Sequence, residues 1–508
     1  YDINFLLCLH LSCPQSYSQA LKSPDVEAWT ASMASELHTL QHKRKCWEIV
    51  PYPKSGHHNY LRCHFVYKIK MKHGKVDRYK SRLVVDGSIQ VQGIDYSDSF
   101  APVVKYTTLR IFLSICAVYN MQVHQLDVES AFIYAPLTEE VYMHPHPAMN
   151  IPRGHCLRLL KSLYGLRQAP RNWNAHLHDF CSLGFQRNSL DHCLYMGTAL
   201  ESTVLLAVFV DDIIIASNSV SSITQIKTAF RNRFQIKDMG LAEEFLNIRI
   251  TQQPGRISID QEPYVRTLLE KYKSYIGTRN YADVPSMSEY MPRDESPATP
   301  KQRQFVESFP YSAIVGSLLY LAMVSRPDIC FAVGVLTHHL KSPTYASCKA
   351  ACRVLNYLSH HPRVSIVYAG SALDLHAYTD SDWGSDRDTR RSTSGGIVIM
   401  AGGLVHWLSK LQPIVTVSSM EAEYIACFFI VQEVAWIRQL LKDLRLERTL
   451  PTRIYIDNKS ARQLAENPVH HQRSKHIDIK FHWIRDMVAA QTIKLIDVPT
   501  DDQRADFL

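Results

Sequence analysis

The sequence predicts a multidomain α+β protein. Two observations carry that reading. Short apolar runs of strand length, several ending in a carboxylate, alternate irregularly with longer segments of helical period. A stretch with Pro285, Pro292, Pro297 and Pro300 among serines and charges, within 251–304, reads as an exposed connector between two halves. The 508 residues leave room for three or four domains. Hydrophobic residues at 46% and charged residues at 20% exclude a disordered chain. The net charge of +8 is compatible with a nucleic-acid partner without requiring one. The 12 cysteines show no CxxC or zinc spacing, so reduced, mostly buried thiols in an intracellular protein are expected. No run reaches membrane-spanning length. Tyr1–Leu11 is apolar without a basic flank, and Ala505–Leu508 reads as the start of a helix. Both ends are expected to be cut from a longer polypeptide.

The chain is organised around Leu205–Ala216, in which six apolar residues meet Asp211-Asp212 and four more follow. Its β-branched content predicts two strands joined by a tight turn at the acids. Carboxylates beside a core shift their pKa or bind a cation, and hard oxygen ligands suit Mg²⁺ shared with substrate phosphates. An acidic pair at a turn is common by itself. Asp127 changes the weighing, because it ends a second apolar strand, Met121–Val128. Strand ends that meet there would put three acids on one pair of ions ~3.5–4 Å apart, the clamp for two-metal phosphoryl transfer.

The other elements follow in order. Val26–Gln41 is a capped amphipathic helix with Trp29, Met33, Leu37 and Leu40 on one face. Leu61–Met71 and Tyr79–Val85 form a hairpin turning at Lys72-His73-Gly74-Lys75. Its Lys68, Lys70, Lys72, Lys75, Arg78, Lys80 and Arg82 suit a triphosphate or a template, or simply a solvated surface. Thr107–Tyr119 is helical. Lys161–Trp173 combines a glycine turn, basic residues and a proline-led helix running to Leu183. Tyr311–Val324, Ile329–Leu340 and Tyr345–Leu358 are helices without an acidic cluster, read as scaffolding. The last part has a strand 373–380 ending at Asp380 and a hairpin of Ser394–Met400 with Gly403–Leu408, turning on Gly402-Gly403. A long helix follows from Ser418 to Leu444, then a strand 453–456 ending at Asp457, a helix 458–465 and a strand 494–498. Acids at three element ends again fit two-metal hydrolysis of a phosphodiester.

These residues resemble a known family. Gln125-Leu126-Asp127-Val128, Ser162–Pro170 and Phe209-Val210-Asp211-Asp212 are similar to the reverse transcriptase of copia-type LTR retrotransposon Pol polyproteins. So are Gly93–Tyr96 with Phe100–Lys105, and Gly316–Leu321 with Arg326–Ile329. Thr379–Trp383, Ser418–Ala426, Asp457-Asn458 and Ser474–Asp478 resemble its RNase H domain. The resemblance implies a right-hand polymerase of fingers, palm and thumb, a connection region, and a C-terminal RNase H-like α/β domain. The parts expected are a leader 1–24, fingers and palm 25–250, thumb and connection 251–365, and RNase H 366–508.

It further implies site residues. Asp127, Asp211 and Asp212 match the polymerase metal ligands. Phe132 matches the bulky gate that excludes a ribose 2′-hydroxyl, and Gln168 matches a nucleotide contact. Lys80 and Arg82 match triphosphate contacts. Asp380, Glu423, Asp457 and Asp506 match the RNase H acids, the first three as metal ligands. Asp382 and Glu421, two residues away, stay open as alternatives, and His476 and Asp478 are expected to orient a helix. The implied cofactor is Mg²⁺, two ions per site, with Mn²⁺ as a substitute. The implied partners are an RNA template, a DNA primer, RNA–DNA hybrid and dNTPs, with no membrane. The implied location is intracellular, in cytoplasmic virus-like particles or the nucleus. Some positions depart from the pattern: Phe209 for tyrosine, Glu129-Ser130 for Lys-Thr, Tyr134-Ala135 for Asn-Gly, Asp86 near the expected triphosphate, and Asn247 for glycine. The expected activity is RNA-directed DNA polymerase with RNase H. A decayed relic that still binds nucleic acid, and a nuclease with the polymerase half as scaffold, stay open beside it.

Overall fold

The computed structural model describes residues 13–53, 58–72, 75–277, 282–286, 299–466 and 478–508. Helix α1 (Tyr17–Leu21) is capped by Ser16, and α2 (Val26–His38) buries Trp29 and Met33, one turn apart. Strands β1 (Trp47–Pro51) and β2 (Tyr60–Leu61) precede the long hairpin of β3 (Cys63–Lys72) and β4 (Lys75–Val85). Side chains alternate across a strand. One face of the hairpin, with Phe65, Tyr67, Leu83 and Val85, is buried, and Trp29 meets Tyr67 and Tyr79 edge-on. Lys68, Lys70, Arg78, Lys80 and Arg82 take the other face. The turn expected at His73-Gly74 lies outside the described residues.

Helix α3 (Tyr106–Val118), buried from Thr107 to Ala117, leads into β5 (Gln122–Val128). Strands β6 (Pro136–Met143) and β7 (His155–Lys161) complete a sheet of order β1-β7-β6-β2. After α4 (Ala169–Cys181) come β8 (Phe185–Arg187), β9 (Leu194–Ala199), β10 (Ser202–Phe209), β11 (Asp212–Ser217), α5 (Val220–Arg233) and β12 (Ile236–Leu241). They form an antiparallel sheet of order β12-β5-β11-β10-β9-β8. Leu126, Val208, Ile213 and Ile215 pack with Trp173, Leu177, Ile223 and Phe230 on one side. Val123, Leu205, Ile214 and Ala216 pack with Ile111, Phe112 and Ile115 on the other. Cover on both faces explains why Leu205–Ala216 lacks a polar alternation.

Strands β13 (Glu244–Phe245), β14 (Ile248–Gln253) and β15 (Arg256–Asp260) then form a sheet. Helices α6 (Glu262–Lys271), α7 (Pro300–Ser308), α8 (Tyr311–Val324), α9 (Cys330–Thr337) and α10 (Tyr345–His360) share a core of their own. Strand β16 (Ile366–Tyr368) returns to pair with β15. The boundary expected at 250 therefore falls inside β14, and the residues from 366 open with a strand of the preceding sheet.

The last part has β17 (His376–Asp382), β18 (Thr393–Met400), β19 (Gly403–Leu411), α11 (Ser419–Asp443), β20 (Thr452–Ile456), α12 (Lys459–Glu466), α13 (Asp478–Ala489) and β21 (Ile493–Asp497). The sheet order is β19-β18-β17-β20-β21, with β20 parallel to both β17 and β21. The β18–β19 turn is Ala401-Gly402, both with positive φ, one residue before the expected pair. Gly403 is needed for another reason: a Cβ there would lie 2.5 Å from the Tyr368 ring. Helix α13 had no counterpart in the sequence reading. Contrary to expectation, α11 is long and apolar enough to cross a membrane by length and composition. Its Ile425, Ile430, Val434 and Ile437 are buried in the core with residues of β17 and β18. All 11 described cysteines are free, as expected.

Candidate active sites

The first site is built where β5 and β11 end together. Asp212 and Asp127 are register partners on adjacent strands, so their side chains leave the same face of the sheet. Asp211 sits in the two-residue turn before β11. Val210, the other turn residue, has φ +56°, an unfavourable region for a β-branched side chain. Two hydrogen bonds hold the turn there. The Trp173 indole Nε1 donates to the Val210 carbonyl at 2.6 Å, and the Val128 amide donates to the Asp211 carbonyl at 2.9 Å. Burial, then the neighbouring Asp211, pushes Asp212 up to about 6, and Gln125 at 3.4 Å opposes that rise. Burial and Asp127 raise Asp211, against Arg82 and Lys80.

Those two cations belong to the basic face of the β3–β4 hairpin, which the fold turns toward the acids. Lys70, named in the sequence only as one of the hairpin's cations, is on the same face and feels the charge of Asp127. Lys80 is half-buried, and burial followed by its cationic neighbours lowers its pKa. Arg82 stacks on the Tyr164 ring at 4.5 Å, and Phe132 meets the same ring edge-on at 4.9 Å. Gln168 lies elsewhere. It is fully buried, donating from Nε2 to the Asp95 carbonyl at 2.9 Å and accepting from Gln90 at 3.1 Å. Both ends of its amide are thereby engaged within the protein.

The second site gathers Asp380, two residues before the end of β17, Glu423 in the first turns of α11, and Asp457 after β20. One oxygen from each lies within 4.8 Å of the others; among the described residues no other His, Cys, Asp or Glu group gathers so closely. Burial, then Asp380 and Asp457, raises Glu423 to about 9. Burial, then Asp457 and Asp506, raises Asp380 to about 6. Glu423 Oε1 accepts from the Ser381 amide and hydroxyl, both at 3.0 Å. Its buried Oε2 has no hydrogen-bond partner among the described residues. An orphaned carboxylate oxygen among three crowded acids suits a divalent cation. Asp506 adds to the rise of Asp380, and its segment is tied to the sheet by Gln503, which donates to the Thr379 carbonyl at 2.9 Å. The alternatives Asp382 and Glu421 are engaged elsewhere: Asp382 accepts from Thr393 and Ser385, and Glu421 accepts from the Val417 amide. His476 lies outside the described residues, as does the side chain of Asp478.

The sequence matches the family model for reverse transcriptase (RNA-dependent DNA polymerase) over residues 44–286. It is 34% identical to the retrovirus-related Pol polyprotein from transposon TNT 1-94 of Nicotiana tabacum, over 97% of this chain and 37% of that one. The corresponding polyprotein from transposon RE1 of Arabidopsis thaliana is 36% identical, over 97% of this chain and 33% of its own length. A transposon Ty5-1 protein of Saccharomyces cerevisiae is 31% identical, over 61% of this chain and its whole length. The chain belongs to the copia-type retrotransposon Pol family. It spans about a third of the length of the Pol polyproteins it matches.

Within this Pol chain the departures from the family pattern have local explanations. Ala135 adopts φ −81°, so the missing glycine leaves no strain there; the left-handed residue is Ser130, at φ +55°. Asn247 has φ +58°, a region asparagine tolerates better than most residues. Asp86 caps the turn at Gly87–Ile89 and pairs with Arg62 at 3.2 Å. Gly165 is at φ +96°, where a Cβ would lie 1.9 Å from the Val85 carbonyl. That close approach, with the Val85 amide donating to the Tyr164 carbonyl at 2.8 Å, seats Tyr164 against the base of the basic hairpin.

Proposed function

We propose that this chain is an RNA-directed DNA polymerase coupled to an RNase H. The observation that carries the reading is the facing of two unlike surfaces. Asp127, Asp211 and Asp212 stand at joined strand ends, and the cationic face of the hairpin bears on two of them: Arg82 and Lys80 act on Asp211, and Lys70 feels Asp127. Acids opposed to cations suit a metal-bound triphosphate. Asp127, Asp211 and Asp212 would hold two Mg²⁺ or Mn²⁺ ions, which when bound supply charge neutralisation at the reacting phosphate. Lys80 and Arg82 neutralise the remaining phosphates. Phe132, half-buried beside Tyr164, narrows the space next to the sugar and excludes a 2′-hydroxyl.

In the C-terminal part, Asp380, Glu423 and Asp457 would hold the ions for phosphodiester hydrolysis, and Asp506 borders them. Glu423 keeps its proton near neutrality until a cation displaces it, and Ser381 holds its other oxygen in place. The substrate is RNA paired to DNA, recognised through backbone and 2′-hydroxyls more than base edges. Template, primer and dNTPs are the polymerase's partners. Virus-like particles in the cytoplasm, and later the nucleus, are the family-based location.

The test is primer extension on poly-rA/oligo-dT with Mg²⁺, run beside the double variant Asp211→Asn/Asp212→Asn. Extension that needs Mg²⁺ and is lost in the variant is the expected result. Failure of the folded wild type to extend would overturn the polymerase reading. Release of labelled RNA fragments from the same hybrid tests the nuclease half separately, with loss in Asp457→Asn expected.

A further inference from the structure

Two helix ends and one face of the six-stranded sheet enclose a cavity of about 450 Å³, a size that suits a small organic molecule. Its floor carries Met196 and Thr198 of β9 and their cross-strand partners Leu205 and Thr203 of β10. Ile115 of α3, with Met121 just beyond that helix, forms one wall; Leu444, Arg445 and Leu446, at the end of α11, form the other. The α11 end is fixed in place. Asn188 donates to the Leu440 carbonyl at 3.2 Å, and the Ser189 amide donates to Asp443 at 3.0 Å. Neither acidic cluster is near. Thr203 stands ~20 Å along β10 from Phe209, which borders the first acids, and Leu444 stands ~30 Å along α11 from Glu423.

Arg445 gives this cavity a chemical preference. It follows α11 at φ +55°. The Leu446 amide donates to the Leu441 carbonyl at 2.8 Å and the Arg445 amide to the Lys442 carbonyl at 2.9 Å, a helix ending that favours glycine where Arg445 stands. The arginine strains that ending, so its side chain needs another use. Its Nη2 donates to Gln186 Oε1 of β8 at 3.4 Å, a long bond to a neutral acceptor. Among the described residues no acid lines the cavity; the nearby Asp443 accepts from Ser189, and Glu447 pairs with Lys442 at 3.5 Å. We propose that the cavity binds a small aromatic anion, its rings over Met196 and Leu205 and its anionic group on the Arg445 guanidinium. Met121 and Met196 supply polarisable sulfur for ring contacts. The two helix ends oppose an anion, but their last carbonyls are engaged, by Met121 on Cys116 and by Leu446 on Leu441. A screened helix dipole changes anion binding by ~2–5-fold, and a charge-assisted pair with guanidinium by ~10-fold or more. The arginine therefore decides the sign. Such a ligand touches α3, the sheet and α11 together, so its binding raises the melting temperature. None of this depends on the activity proposed for the two acidic sites.

The experiment titrates the full chain with 8-anilinonaphthalene-1-sulfonate and with N-phenyl-1-naphthylamine, the same rings without the sulfonate, and reads dye fluorescence and melting temperature. The wild type should take up one equivalent of the sulfonate, bind it ~10-fold more tightly than the neutral dye, and melt at a higher temperature with it. Arg445→Gly suits the left-handed backbone, so it should melt no lower than the wild type, yet bind the two dyes alike. Thr203→Trp fills the floor and should exclude both. A wild type that binds neither dye, or both equally, overturns the assignment. So does an Arg445→Gly variant that keeps the preference for the sulfonate, or a Thr203→Trp variant that still takes up the dye. Should Arg445→Gly fold poorly, Arg445→Lys and Arg445→Gln, alike in backbone strain, decide: the preference should survive in the first and vanish in the second, and any other pattern sinks the proposal.

Discussion

Glu423 shows what one residue's environment decides. A carboxyl normally titrating at 4.5 is raised to about 9 because it is buried beside Asp380 and Asp457. The folded chain therefore holds a proton that the unfolded chain releases. Stability from this group is complete below about 4.5 and is lost as pH rises toward about 9. Asp380, raised to about 6, adds to the loss over the acidic part of that window. A cation must displace the proton, so its affinity increases over the same range. The metal-free protein should thus melt at progressively lower temperature from pH ~5 to ~9, and the Mg²⁺-induced rise in melting temperature should grow with pH. Glu423→Gln should flatten the metal-free profile and raise melting at alkaline pH by ~2–4 °C, while abolishing RNA cleavage. A wild-type profile as flat as the variant's would contradict this account. That Asp380, Glu423 and Asp457 gather was expected from their places near strand and helix ends; the proximity of Asp382 and Glu421 left a two-residue ambiguity. The Thr393 and Val417 amides engage Asp382 and Glu421 away from the cluster, and no spacing rule could have revealed those partners.

At the scale of the element, the β10–β11 turn carries backbone strain beside the acids. Val210 in the left-handed region costs ~1–3 kcal/mol, and Trp173 and Val128 hold it. The strands and the turn were readable from the apolar run and its two acids. The clamp was not, since Trp173 lies 37 residues upstream and its helix looked like simple packing. Trp173→Phe keeps most of the ring's burial and deletes the indole donor. Primer extension should fall by ~10-fold as the acids lose their fixed geometry, with RNA cleavage in the C-terminal part unchanged. Equal extension by wild type and variant would show that the turn needs no clamp. Within the Lys161–Trp173 stretch the family resemblance marked Gln168 as a nucleotide contact. The glycine, basic and glutamine residues of that stretch could not reveal that Gln168 faces inward while Tyr164 lies beside the acids. That distinction depends on the Gly165–Val85 approach, a contact between segments 80 residues apart.

At the scale of the whole molecule, the sequence predicted four parts with an exposed connector within 251–304, and the packing joins residues of different parts in one core. Residues of α3, behind the first site, share one core with those of β17, β18, β19 and α11 around the second. Arg110 fixes the seam. It is almost fully buried, donating from Nε to the Val405 carbonyl at 2.8 Å and from Nη1 to the Met323 and Val324 carbonyls at 3.1 and 3.0 Å. Its guanidinium stacks on Trp407 at 3.9 Å, and Trp407 Nε1 donates to the Ala322 carbonyl at 2.8 Å. One helix residue thus joins the palm-side helix, the α8 terminus and β19. Nothing in the sequence singled out Arg110, because its three carbonyl partners lie more than 200 residues away. Removing it leaves those carbonyls buried without a donor, at a cost of ~2–5 kcal/mol. Arg110→Ala should therefore convert a single melting transition into two and expose the 369–375 segment to protease. If both active sites are retained, the variant should also spread the positions of RNA cuts relative to the primer terminus, because a rigid seam holds the two sites at one separation along the hybrid. One sharp transition with an unchanged cut pattern would mean that the shared core, without Arg110, is enough to lock the parts together.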